Sequence, residues 1–419
     1  MSCIAPLALA SSADESAESC TVHRPISLKG TCREIGVILS TESIMKKFVK
    51  SLPEGSFFRL SEEKSDGVVP TGITTVDFAT GIGGFPRGLQ SMVYGEASSG
   101  KTALCLQAIG NYQKEHKDSY SCIIDLEKSM TIDWAVKFGI DPERLVVLRP
   151  ADVEEMITMT MNAIEAHIFD LIVVDSLGAG LLRTEIENDK SRMAGSAGAI
   201  TRMVKAINSA FIRLDREIRI EEEKGNTTDD YVVPAVVHIN QARQDLNSMK
   251  PTISYSGGKA LTHMMSLIIK VFASKSAANK IIGTVDGQQM RVGWSVTATC
   301  EKNKLATAKS AGYVFVYAEC PEHPFGIDNA RSTSDLAILL DIARIEGKTV
   351  YYPGENGEEE KIVGRNNFMD LVAKDPKLLS RLSEEISRRM AENISDEDAK
   401  LVALLNSEDG EEEPESSEK

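Results

Sequence analysis

The run GEASSGKT, Gly95 to Thr102, carries the strongest chemical signal in the sequence. It fits the pattern G-x-x-x-x-G-K-[ST], follows an apolar strand candidate and opens a helical run, ALCLQAIGNYQ. Gly95, Glu96, Ala97, Ser98, Ser99 and Gly100 would form a tight turn whose backbone N–H groups, backed by a helix N-terminus, cradle polyphosphate oxygens. Lys101 would reach the β and γ phosphates, and the Thr102 hydroxyl would bind Mg²⁺. In LIVVDS, Asp175 ends four apolar residues. Such an aspartate often caps a helix, but beside a phosphate loop it is expected to orient Mg²⁺ and its waters. In CIIDLEKS, Glu127 is a candidate general base for an attacking water, with a solvated carboxylate as the alternative. Trp134 either covers a nucleobase or belongs to the core. The stretch from His238 to Leu261 ends its strand at Asn240–Gln241, where a γ-phosphate contact is geometrically available. It then runs through a polar segment with Arg243, Lys250 and Lys259. That segment is either an ordinary mobile loop or one that grips a polyanion.

These groups need elements to position them. From about residue 71 the chain alternates apolar strand candidates with helices: Gln90–Tyr94, Ser121–Leu126, Leu171–Asp175, Ala235–Asn240 and Leu267–Phe272. Strands this apolar suit a parallel sheet covered on both faces, so the fold class is α/β. Val296–Cys300 and Tyr313–Tyr317 follow one another without a helix and are expected to pair antiparallel. Residues 215–233 read as a helix end followed by a solvated loop. Upstream, residues 32–51 place Ile35, Ile38, Leu39, Met45, Phe48 and Val49 near helical spacing, and Gly55–Leu60 reads as a short strand. Elements outside a core in this way often pack on a neighbouring subunit. Past residue 331, Leu336, Leu339, Leu340 and Ile345 read as one helix, followed by a hairpin and a second helix through Leu378, Leu382 and Ile386.

With 419 residues, 42% hydrophobic and 26% charged, the chain has the balance of a globular protein of two or three domains. No apolar run approaches the ~20 residues of a membrane helix. No Lys or Arg precedes the mildly apolar Cys3–Ala10, so a cytoplasmic protein is expected, and seven scattered cysteines suit reduced thiols. The net charge of −15 argues against nucleic-acid binding when taken alone. Residues 406–419, however, carry seven acids and one base, a run expected to be disordered. The remainder carries −9, which leaves room for a local basic groove.

The order of these pieces resembles the bacterial RecA recombinase family. The resemblance rests on GSFFRLSEEKS, TGITTVDFATGIGGFPRGL, GEASSGKT, IIDLEKS, LIVVDS, HINQARQ, SGGKAL and EKNKLATA, and on DLAILLDIARIEGKTVYYPGENGEEEKIVGRNNF near the C-terminus. It implies a RecA-type phosphate-loop ATPase core with a mostly parallel central sheet flanked by helices. It also implies a helix–strand polymerisation arm and a small α+β C-terminal domain. The expected divisions are a flexible arm over 1–31, an oligomerisation segment over 32–70, the core over 71–330, the C-terminal domain over 331–405 and an acidic tail over 406–419.

Carried over, the resemblance makes Lys101 and Thr102 the phosphate and Mg²⁺ residues for ATP, Glu127 the catalytic glutamate and Asp175 a second metal-side acid. Gln241 becomes the γ-phosphate sensor, and Trp134 the aromatic over adenine. Lys302 and Lys304, otherwise two surface lysines, would reach a neighbouring subunit's nucleotide. DNA contacts are expected from one loop within Arg183–Arg202, including Arg192, Met193 and Arg202, and from a second after Gln241, including Arg243, Lys250, Gly257 and Gly258. The implied partners are single-stranded DNA, homologous duplex DNA, recombination mediators and further copies of the chain in a helical filament, with no membrane. The alternative is a RecA-like protein that uses ATP only as an assembly switch, as a scaffold or mediator. Ala97 stands where bacterial members usually carry an acid, Lys259 and His263 replace residues near a subunit contact, and the N-terminal arm and the 215–233 insertion have no counterpart. These departures suit a phage-encoded or divergent bacterial member.

An acidic tail competing with DNA for a basic groove acts as an electrostatic brake. Deleting residues 406–419 should therefore speed duplex binding at low salt in stopped-flow measurements, and unchanged rates would exclude the brake.

Overall fold

The computed structural model describes residues 41–59, 66–178, 194–228, 230–245, 252–255, 258–273, 280–307, 309–321, 323–355 and 357–389. The expected arm (1–31) and acidic tail (406–419) lie outside them. The chain forms two compact units, Met1–Phe57 and Phe58–Lys419.

In the first unit, helix α1 (Thr41–Val49) occupies part of the helix expected over 32–51, and its residues 32–40 lie outside the described part. The strand expected over Gly55–Leu60 is not formed by residues 55–59. The amide and hydroxyl of Ser56 both bond the Pro53 carbonyl, and Gly55 has φ of 66°, so a turn takes up this backbone.

The second unit begins with a short antiparallel pair, β1 (Val68–Val69) with β2 (Phe85–Pro86). The parallel part of its main sheet comprises β3 (Gln90–Gly95), β4 (Tyr120–Asp125), β5 (Leu145–Leu148), β6 (Phe169–Asp175), β7 (Ala235–Asp245) and β9 (Leu267–Ala273). Every residue of β3 and β6 is buried, as sheet strands covered on both faces must be. Alternation divides their side chains. Val93, Ile123, Val173 and Val237 pack with Leu104 and Ile109 of a helix at Lys101–Glu115. Met92, Cys122, Ile124, Ile172 and Val174 pack on the other side with Met156, Ile164, Met203, Val204 and Ile207. Those last residues come from helices at Val153–Glu165 and Ala194–Glu223. The long helix continues to Glu223 before the polar loop, as expected for the 215–233 insertion.

β11 (Gln288–Asn303) pairs antiparallel with both β9 and β12 (Ser310–Val316), which includes the expected antiparallel pair. With β13 (Gly326–Ile327) beside β12, the sheet follows the order β13-β12-β11-β9-β3-β7-β6-β4-β5. Strands not apparent in the sequence include β5, β8 (Thr252–Tyr255) and β10 (Lys280–Val285), besides the two-residue β1, β2 and β13. β10 is turned back onto β11 by Asp286 and Gly287, both with positive φ, the backbone of a tight hairpin. In the C-terminal part, the helix at Asn329–Leu339 stops before Ile345. That residue instead lies in β14 (Arg344–Glu346), because the Gly347 turn folds it antiparallel onto β15 (Thr349–Pro353). β15 and β16 (Glu359–Val363) make the expected hairpin. An additional helix at Arg365–Lys374 joins residues 376–389 around Val350, Phe368, Leu382 and Ile386. Cys105, Cys122, Cys300 and Cys320 are free and buried, and among the described residues no helix is long and apolar enough to cross a membrane.

Half-buried Arg87 and buried Gln90 tie the sheet to the segments packed on it. Arg87 donates to Asp170 at 2.7 Å and to the Val233 carbonyl at 2.8 Å. Gln90 donates to the Val204 carbonyl at 3.0 Å, and its side-chain oxygen lies 3.1 Å from the ring of fully buried His238. Burial pushes that imidazole down from 6.5 to about 3. The unfolded chain therefore takes up a proton below 6.5 that the folded one refuses, and stability is lost as pH falls through this interval. His238 by itself contributes a loss of about 3 kcal/mol between pH 7 and pH 4, while burial raises the carboxyls of Asp77 to about 7 and Asp175 to about 6, which act in the opposite direction. Urea titrations of wild type and His238→Gln at the two pH values isolate this contribution: on going from pH 7 to pH 4 the change in stability of the variant should differ from that of wild type by about 3 kcal/mol, in the direction of less acid sensitivity. An equally steep variant would place the acid sensitivity elsewhere.

Candidate nucleotide-binding site

The predicted turn lies between β3 and helix α2 (Lys101–Glu115). Gly100 takes φ of 95° at the helix N-cap, a conformation that glycine adopts without strain. A Cβ on Gly95 would lie 2.1 Å from the Val271 carbonyl oxygen and 2.7 Å from Ser99 Oγ, so no side chain fits where the loop begins. Ala97 and Ser98 are exposed at the tip, Ser99 is buried, and Glu96 and Gly100 are half-buried. No side chain caps α2 and no acid occupies its first turn, which leaves the N-terminal N–H groups and the positive end of the dipole for an anion.

Lys101 Nζ donates to the Glu96 carbonyl at 2.7 Å, folding the lysine over the loop. Burial lowers its pKa, opposed by the charges of Asp175 and Glu127. Thr102 Oγ1 donates to Asp175 Oδ2 at 2.8 Å, which joins the helix to the end of β6. Burial pushes the Asp175 carboxyl up to about 6. The Thr102 hydroxyl and Lys101 oppose that shift, whereas Glu127 and Asp125 add to it.

Glu127 lies exposed just beyond β4 and accepts from Ser176 Oγ at 2.6 Å. Asp125 and Asp175 are register partners in β4 and β6, so the acids gather at one sheet edge. Gln241 stands opposite Gly95 in the β3–β7 register, with its side chain exposed. The structure thus brings together the loop, Lys101, Thr102, Glu127, Asp175 and Gln241.

Other predicted residues are placed differently. Trp134 makes edge contacts with Phe138 and Phe325 at 5.3 and 5.6 Å and packs, partly buried, against the core. Lys302 Nζ donates to the carbonyls of Thr262 and His263 at 2.6 and 3.1 Å, whereas Lys304 is exposed. Arg202, expected in a loop, lies exposed on the helix at Ala194–Glu223, whose apolar spacing at Ile200, Met203, Val204 and Ile207 carries it onto the core. Arg192, Met193, Lys250 and Gly257 lie outside the described residues. The segment after Gln241 is not simply a loop: residues 242–245 continue β7 and pair with β8, with Arg243 opposite Ser254. Gly258 opens a further helix, α3, at Gly258–Met264.

Two positioning groups were missed. Ser176 was in view inside LIVVDS, but only the fold brings its hydroxyl to Glu127. Asp125 accepts from the amides of Ser129 and Met130 and pairs with Arg149 at 3.6 Å, fixing the turn that carries Glu127.

A mostly parallel α/β sheet with this loop at its carboxyl edge defines a phosphate-loop nucleotide-binding fold. Comparison with known proteins narrows the class. The family described as the RecA N-terminal domain matches residues 39–320. Protein RecA of Leptospira meyeri is 30% identical over 337 residues, covering 78% of each chain. Protein RecA of Corynebacterium glutamicum (strain R) is 27% identical over 404 residues, covering 93% of this chain and 96% of its own. A solved structure described as the RadB recombinase is 19% identical with a TM-score of 0.41, covering 60% of this chain and 97% of that one. The chain belongs to the RecA family.

A hydrogen bond to a charged group contributes about 1.5–3 kcal/mol, so Ser176→Ala should lower turnover of ATP roughly tenfold or more while nucleotide affinity stays close to wild type. Steady-state kinetics with equilibrium nucleotide binding reads both; an unchanged kcat would remove Ser176 from the orientation of Glu127.

Proposed function

We propose that this protein is an ATP-dependent homologous recombination protein that assembles on single-stranded DNA, hydrolyses ATP in response to it, and pairs and exchanges it with a matching duplex. The observation that carries the reading is the joint placement of Thr102 on Asp175 and of Ser176 on Glu127 beside the phosphate loop. An assembly with a purely structural nucleotide has no need of an oriented carboxylate at that place.

Chemically, the loop amides and Lys101 bind the phosphates and stabilise charge on the transferring phosphoryl group. Glu127, steered by Ser176, accepts the proton of the attacking water. Thr102 Oγ1 and Asp175 fit the hard oxygen ligands that Mg²⁺ takes, and the ion when bound supplies charge neutralisation at the phosphates. Among the described residues no group of three or more His, Cys, Asp or Glu could hold a metal, so nucleotide and water would supply its other ligands. Gln241, opposite Gly95, reads the terminal phosphate and passes its presence into the β7–β8 ribbon. Arg202, Arg243, Lys250 and the segment around Arg192 and Met193 supply the DNA side, chiefly through phosphate contacts. Sequence readout then comes from strand pairing. Lys302 and Lys304 complete a neighbour's site in the filament, which requires Lys302 to leave the two carbonyls it now holds. Trp134 is proposed at the adenine side with one face of its ring.

Hydrolysis measured without DNA, with duplex and with single strands should rise at least tenfold with single strands and vanish in Lys101→Ala, the loss expected when a phosphate-loop charge is removed. DNA-independent turnover, or none, would favour the assembly-switch reading.

A further inference from the structure

A chain of contacts separate from the reacting groups leaves the phosphate loop by another route. Tyr94, the residue immediately before Gly95, is only 3% exposed, yet its hydroxyl finds a carboxylate, donating to Glu301 Oε2 on β11. Lys270, the register partner of Tyr94 in the β3–β9 pair, places its ammonium 3.7 Å from the other oxygen, Oε1. Glu301 is also where β11 breaks step with β9. Cys300 lies opposite Ile269 but Lys302 opposite Ile268, so Glu301 is the extra residue of a β-bulge. A bulge bends its strand and re-aims the side chains that follow.

Here the next residue is Lys302, whose ammonium caps the Thr262 and His263 carbonyls in the last turn of α3. Two residues on, the Lys304 amide donates to the Ser266 carbonyl at 3.0 Å, just past the same helix. Two residues separate the end of β8 from the start of α3, β8 pairs with β7, and β7 returns through Gln241 to Gly95. The contacts close a ring: phosphate loop, Tyr94, Glu301, Lys302, α3, β8, β7 and phosphate loop again.

We propose that Glu301 is a positioning residue that fixes the β11 bulge and so couples the phosphate loop to α3 at the base of the β7–β8 ribbon. Tyr94 is its link to the loop, and Lys302 its link to the helix. Phosphate binding moves the backbone at Gly95. Tyr94, one peptide away and tied to the bulge, carries that shift to the cation that caps α3. The proposal rests on nucleotide binding at the phosphate loop and adds to it a path that does not pass through Gln241.

The experiment measures two quantities on the full chain: affinity for a non-hydrolysable ATP analogue, and the analogue-dependent slowing of amide hydrogen exchange in residues 258–264. Tyr94→Phe keeps the packed ring and removes only the hydroxyl. Glu301→Ala removes the acceptor, and Glu301→Gln keeps an oxygen acceptor while losing the charge.

Affinity should stay within about threefold of wild type, while the analogue-dependent slowing should fall about fivefold or more in Tyr94→Phe and Glu301→Ala, the scale of one hydrogen bond. Glu301→Gln should retain part of it, and the double variant should be no worse than either single one, since both cut the same link. Wild-type slowing in Tyr94→Phe and Glu301→Ala would overturn the coupling, as would a wild-type protein that binds the analogue without any slowing at 258–264. Failure of wild type to bind the analogue at all would overturn the nucleotide reading itself and this proposal with it, and the affinity measurement identifies that case separately.

Discussion

The site depends on one constraint, the parallel pairing of β4, β6, β7 and β3. Parallel strands finish at the same edge, and their register places Asp125 beside Asp175 and Gly95 beside Gln241. Antiparallel pairing would send half of these residues to the opposite edge. The parallel arrangement requires crossover helices on both faces, and those helices bury the sheet so completely that its polar side chains must find partners inside. Arg87 with Asp170, and Gln90 with the Val204 carbonyl, are the consequence.

The same edge concentrates negative charge. Asp175 lies buried with Asp125 and Glu127 close by, and burial is the largest of the influences that raise its pKa. A site so acidic would repel a polyphosphate unless cations intervened. Lys101 is one such cation, held in place by the Glu96 carbonyl. The Thr102–Asp175 hydrogen bond keeps two hard oxygen groups together, so a divalent cation arriving with a nucleotide would meet them already oriented. The α2 N-terminus adds its partial positive charge without a titrating group.

What was legible in the sequence is what is local in the chain. The phosphate loop, Asp175 and Glu127 each sit inside a short motif whose strand announces itself by apolar residues. The Ser176–Glu127 bond spans 49 positions and the Tyr94–Glu301 bond 207, and no pattern in either segment points to the other. Short or polar strands escaped for a different reason. β5 is only four residues long, and β10 begins at a lysine and is largely half-exposed, so neither shows a clear period of two. Ile345 continued an apolar helical rhythm, and only the positive-φ Gly347 turn reveals it as a strand residue. Arg202 was misplaced because its loop leads into a helix whose start carries small residues, Ala194, Gly195, Ser196, Ala197 and Gly198, that resemble loop composition.

The β7–β8 ribbon follows the same physics from the other side. Its paired stretch joins residues 242–245 to 252–255, and a two-stranded ribbon of that length is marginal by itself in water. Its order is therefore borrowed from its two anchors, β7 within the buried sheet and α3, which follows β8 in the chain. The first anchor passes through Gln241 opposite the phosphate loop. The second is capped by Lys302 behind the Glu301 bulge. An element this marginal responds to small changes at its supports in a way that the buried strands cannot, because a change of about 1 kcal/mol alters the population of a locally open segment severalfold and leaves the core essentially unmoved. Both supports lead back to the residues around Gly95, so the conformational weight of the ribbon is set where phosphates would bind.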